Sequence, residues 1–171
     1  MKSVEEYFDS FYTEIEKYNK GIHIFGEKLP EEEMCCFEET YGICLPHYYR
    51  EWLKNNNGGE LFAVPAGTNI AGVLGKGTAK KGTLYLEDNF ITEKRAGLPN
   101  YLFIIADNSL GDVIGFDLRH TNKTDGVIVY WNHETGKISE KWNSLAEWLD
   151  SVMESGKMFI NYDGSESDFF D

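Results

Sequence analysis

Carboxylates, imidazoles and thiols are the groups with which this chain would do chemistry, and their spacing limits what they could do. Asp107, Asp112 and Asp117 flank a turn between two apolar runs. Carboxylates converging at one sheet edge would bind a divalent cation or carry acid–base work. Asp at a turn also bonds its own backbone, which accounts for Asp107 and Asp112 without catalysis. His23, His47, His120 and His133 are scattered, with no pair at helical metal-ligand spacing, and His133-Glu134 reads as an exposed turn. Cys35 and Cys36 are adjacent and Cys44 is nearby, which is neither a disulfide framework nor a zinc spacing. Neighbouring glutamates would raise a thiol pKa, so Cys35 and Cys36 are expected to be structural and buried or half-buried. No Gly-x-Ser-x-Gly elbow presents a serine nucleophile. Gly72, Gly75, Gly77 and Gly82 bracket Lys76, Lys80 and Lys81, but the Walker spacing is missing, and a flexible loop is expected there. Residue chemistry thus predicts no catalytic residue, no metal and no cofactor.

The composition bounds the class. The chain has 171 residues, enough for one domain with a proper core, and 15% are aromatic, which argues for a filled interior. Its 29 acidic and 16 basic residues give a formal charge of -13. Nucleic-acid affinity rests mainly on Lys and Arg at phosphates, so this balance disfavours a nucleic-acid partner. It suits a basic partner, since opposite potentials steer encounter, and it also keeps a cytosolic protein soluble. Met1 to Lys20 is charged and amphipathic, without the apolar centre of a signal peptide, and no run is long enough to span a bilayer. A cytoplasmic location and no membrane partner are expected.

The elements follow from periodicity. Ser3 and Glu6 form a capping box before a helical stripe of Val4, Phe8, Phe11, Tyr12, Ile15 and Tyr18, which Gly21 ends. Pro30 and Glu31 to Glu33 open a second helix with Met34, Phe37 and Tyr41 inward, closed by Gly42. Leu45-Pro46 leads to a third, with Tyr49, Trp52 and Leu53 inward, and Asn55 to Gly59 turns the chain. Leu61–Val64, Ile70–Leu74 and Leu84–Leu86 read as short strands. Tyr101 to Trp131 supplies three consecutive strands at the centre of the sheet, and Ile138–Trp142 an edge strand. Ser144 and Glu147 cap a last amphipathic helix expected to end at Gly156. The chain therefore predicts an α+β single domain, with a mixed, mostly antiparallel central sheet and helices packed against it. Trp52, Phe103, Ile105, Phe116, Val129 and Trp148 are expected to share one core. The domain is expected over residues 1–160, followed by an acidic tail, 161–171, expected to fray.

Two stretches together resemble the SUKH superfamily, which includes bacterial immunity proteins and the Knr/Smi regulator of fungal cell-wall synthesis. The first runs from Glu38 through Leu45-Pro46, Tyr48, Tyr49 and Trp52 to Asn57-Gly58-Gly59. The second runs from Phe103 to Asp107, through Gly111-Asp112 and Phe116-Asp117, to Val127–His133, and the Ser144–Leu149 helix start looks like the family's end. These motif residues look structural: they enter and leave helices and fill a core, so binding residues would lie elsewhere on the scaffold.

The resemblance implies a non-catalytic protein that binds and neutralises a cognate bacterial toxin, a nuclease or another nucleic-acid-modifying enzyme. The acidic excess fits such a partner. A regulatory binding scaffold of the same family is the alternative, and a small enzyme using the aspartates a third reading. Glu87, Asp88, Asp107 and Asp112 are the candidate toxin contacts.

Overall fold

A computed structural model describes residues 3–63, 68–70, 85–91, 97–108, 110–121 and 125–167. Helix α1 (Val4–Ile15) starts at Ser3, whose side chain accepts from Glu6 N while Glu6 accepts from Ser3 N. It stops at Ile15, earlier than expected, and the chain winds on through single turns that still bury Tyr18 and Ile22. Helix α2 (Glu31–Tyr41) opens after Pro30 and closes at Gly42, which has the left-handed conformation at φ 64°. Helix α3 is His47–Asn55 and α4 is Leu145–Phe159. No helix among the described residues is long and apolar enough to cross a membrane.

The step between α2 and α3 is tied by one carboxylate. Glu38 accepts from Leu45 N at 2.7 Å through one oxygen and pairs with Arg50 through the other. Arg50 also pairs with Glu31, so a single guanidinium clamps both helices at the Leu45-Pro46 corner.

Among the described residues seven strands lie in sequence order in one sheet, and every pairing is antiparallel. The long strands β4 (Leu102–Asn108), β5 (Val113–Thr121), β6 (Gly126–Asn132) and β7 (Lys137–Trp142) form its body. The short strands β1 (Ile24–Phe25), β2 (Gly59–Leu61) and β3 (Thr68–Ile70) extend it beside β4. The α+β fold and the three central strands stand as expected, and β4 is as buried as its apolar run implies.

Several boundaries differ from the expected ones. The strand expected from Leu61 begins at Gly59 and gives way at Phe62, which turns to φ 52°. At Leu86 the chain forms a 3-10 helix, Leu86–Phe90, in place of a strand. Its Asn89 side chain accepts from Ile104 N at 2.7 Å and donates to Ile104 O at 2.8 Å. That amide carries on the ladder bonds of β4 beyond the point where β3 ends. Residues 71–84, including the glycine- and lysine-rich loop, lie outside the described residues, as do 92–96 and 168–171.

The core has two parts. Trp52, Phe103, Ile105, Phe116 and Trp148 belong to the main one, between the helices and one face of the sheet. Val129 is equally buried but joins Leu102 and Ile104 on the opposite face. Its neighbours Ile128 and Tyr130 pack toward the helices, so the alternation of β6 sends Val129 the other way. Helix α4 also runs past Gly156, against expectation. Helical backbone tolerates a glycine, and here its missing side chain admits the Phe62 ring.

The stretch beyond the helix begins with a closed turn. Asn161 N donates to Ser165 O, Ser167 N donates to Phe159 O, and Asn19 N donates to Tyr162 O, each within 2.9 Å.

Candidate functional site

The three aspartates do not converge. Asp107 pairs across the strands with Val113, and Asp117 pairs with Leu102, whose side chains line the second cluster. Cross-strand partners share a face, so Asp107 and Asp117 lie on the side away from the helices. Asp117 is fully buried and holds Arg119 through both oxygens, at 2.9 and 2.7 Å, while that guanidinium lies 3.6 Å from the Tyr101 ring centre. The Arg119 contacts hold the Asp117 carboxyl below the usual carboxylate range.

Asp112 takes the other face and is buried in a network that its sequence position did not reveal. One oxygen accepts from the Tyr130 hydroxyl at 2.6 Å, and the other accepts from His133 N at 2.9 Å and lies 2.8 Å from His133 Nδ1. Asn108 donates to the Tyr130 hydroxyl at 2.7 Å, and its carbonyl accepts from Leu110 N and Asp112 N. Burial pushes the Asp112 carboxyl up, but the Tyr130 and His133 hydrogen bonds outweigh it and hold the pKa at about 2. An ionised carboxylate only accepts, so the His133 proton sits on Nδ1. The network pins the β4–β5 turn to the β6–β7 turn, and it brings no nucleophile to the imidazole.

The remaining candidate contacts sit at another place. Asp88 is buried and accepts from Tyr85 N at 3.1 Å, at the start of the 3-10 helix. Glu87 is half-buried beside Tyr41, whose hydroxyl pKa is raised by burial and by that carboxylate. Asp107 is half-buried near the far end of β4. The four residues therefore do not form one patch.

The cysteines are all exposed, against expectation for Cys35 and Cys36. Met34 and Phe37 take the buried stripe of α2, which leaves Cys35 and Cys36 on its outer side. Two helices also bring Glu5, His47 and Glu51 together, with one ligand atom from each lying within 4.8 Å of the others. All three keep contact with solvent, and Lys54 donates to Glu51 at 3.2 Å, offsetting part of the charge.

One concavity lies between the helix-facing side of the sheet and the second half of α4. It encloses about 460 Å³, with Phe62, Tyr130, Trp142 and Trp148 among its walls. Ser151, Val152, Ser155 and Gly156 are small, so α4 leaves space there that its first half fills with Trp148 and Leu149. Glu140 stands opposite Tyr130 in the β6–β7 register and lines the same space. A second concavity of about 870 Å³ runs from the Leu45-Pro46 corner to Leu118 on β5.

The fold and its motif-bearing corner agree with the comparison to known proteins. The SMI1 / KNR4 family (SUKH-1) matches residues 28–151, which include the Glu38-to-Gly59 module and the four long strands. The chain belongs to this family. SUKH families include immunity proteins. A crystal structure of a protein from Pseudomonas syringae pv. tomato has the same fold, with a TM-score of 0.57 at 16% identity, covering 84% of this chain and 96% of that one. No curated protein sequence matches the chain.

Proposed function

We propose that this SUKH protein is an immunity protein, a non-catalytic binder that neutralises a cognate toxin with a basic active-site cleft. Membership of the SUKH-1 family is the observation that carries this reading. The charge of -13 supports it, since carboxylates on the binder would occupy the place where a nuclease holds phosphates. Exposed acids are available on two helices: Glu6 and Asp9 along α1 with Glu16 at its end, and Asp150 and Glu154 along α4. Of the four contacts suggested by sequence, Glu87 and Asp107 keep partial exposure and remain the proposed contacts. Asp88 and Asp112 support the backbone beside them, and their part in the interface is through that backbone.

The absence of a converged aspartate site removes the main physical argument for turnover by this chain. Coexpression with a candidate toxin from the neighbouring genes is the test. Growth rescued together with a stable complex is expected. Rescue without any complex would favour the regulatory scaffold, and no rescue would overturn the immunity reading.

A further inference from the structure

We propose that the cavity between α4 and the sheet is a socket for one lysine or arginine side chain of the protein partner. This rests on the reading above that the partner is basic. The walls are aromatic, from Tyr130, Trp142 and Trp148, and among the described residues the lining includes one carboxylate and no cationic residue. Glu140 is exposed, makes no ion pair among the described residues, and shares the inner face with Tyr130. A ligand with an apolar body and a cationic end satisfies both features, since aromatic faces attract cations and long basic side chains bury their stems. A neutral apolar ligand would desolvate the Glu140 carboxylate without pairing it, and an anion would be repelled by it. The Tyr130 hydroxyl is already bonded to Asp112 and Asn108, so it fixes the wall and leaves Glu140 to bind the charge.

One further feature shapes the wall. Phe62 holds a left-handed conformation at φ 52°, which costs a non-glycine residue energy, and its ring occupies the gap left by Gly156. The formal charge of -13 draws in a basic protein surface, and Glu140 pairs one of its side chains, so the occupant is assigned to a protein surface and not to a free amine.

The experiment titrates n-butylammonium and n-butylguanidinium into the full chain, with n-pentanol as the neutral counterpart, and follows the indole N–H resonances of Trp142 and Trp148. Both cations are expected to saturate, with shifts concentrated at those two indoles. Glu140→Gln, on an exposed strand position, is expected to weaken both cations by about tenfold and leave n-pentanol unchanged. The same substitution is expected to weaken the complex with the candidate toxin by a similar factor. Binding of n-pentanol as strong as that of the cations, or indifference of the cations to Glu140→Gln, would overturn the socket. A toxin complex that ignores Glu140→Gln while the cations respond to it would overturn the protein-borne occupant. Absence of any toxin complex would instead overturn the immunity reading, while the cation titration still judges the cavity.

Discussion

The ring of Phe62 fills the space that a side chain at position 156 would occupy. A Cβ on Gly156 would collide with that ring, and Phe62 itself sits at φ 52° to reach it. Helix α4 and the end of β2 are therefore locked through an absent side chain. Gly156→Ala should lower stability by about 1–3 kcal/mol through overpacking, although alanine is the better helix former by about 1 kcal/mol. Equilibrium unfolding in urea measures the change, and Phe62→Ala in the same chain should relieve part of it. A stabilised Gly156→Ala variant would mean that the two elements are not in contact.

The acid limb of stability should have two windows. His23 Nδ1 accepts from Phe62 N at 3.3 Å, and burial pushes its pKa down from 6.5 to about 4. The fold therefore favours neutral His23, and this contribution is whole above pH 6.5 and lost progressively as pH falls toward 4. Asp112, at about 2 against an ordinary 3.8, contributes fully above pH 3.8 and loses its contribution as pH falls toward 2. Stability followed across pH should lose the upper window in His23→Gln and part of the lower one in Asp112→Asn, since Glu14 and Asp117 are also held below their ordinary values. One window surviving its own substitution undiminished would assign that loss to another group.

The Glu38 carboxylate should matter beyond its charge. It caps Leu45 N and pairs with Arg50, so Glu38→Ala leaves a half-buried N–H without its acceptor and the Arg50 guanidinium with Glu31 as its remaining carboxylate. A loss of about 1–3 kcal/mol is expected by chemical denaturation, with Glu38→Gln losing less because it can still accept from Leu45 N. Equal losses in the two variants would place the effect in the ion pair alone.

What the sequence made legible was local. The capping box at Ser3, the glycine after α2, the Leu45-Pro46 entrance and the apolar run of β4 each act within a few residues, and each is where periodicity and turn chemistry put it. The misreadings came from contacts between distant segments. Gly156 looked like a helix stop because its partner, Phe62, lies far away in the chain. Val129 looked like part of one core because an apolar run does not declare which face each residue takes. Asp112 looked like turn chemistry, and it does bond the turn through its backbone. Its carboxylate, however, is held by Tyr130 and His133, whose approach depends on strand register. The exposed cysteines were a local error, since Met34 and Phe37 already defined the buried stripe.

Trp148 should be a main stabilising contact between α4 and the sheet. It is 2% exposed within the main core, so Trp148→Ala should cost about 3–5 kcal/mol, read as a drop in the thermal midpoint. Unchanged thermal stability would detach α4 from the sheet.

Association kinetics with the candidate toxin across ionic strength test the central claim most directly. Exposed charges are screened over about 8 Å at physiological salt, so steering by an acidic surface must weaken as salt rises. The association rate should fall steeply with salt while dissociation changes little. An association rate indifferent to salt, or no complex at any ionic strength, would contradict an acidic protein that captures a basic toxin.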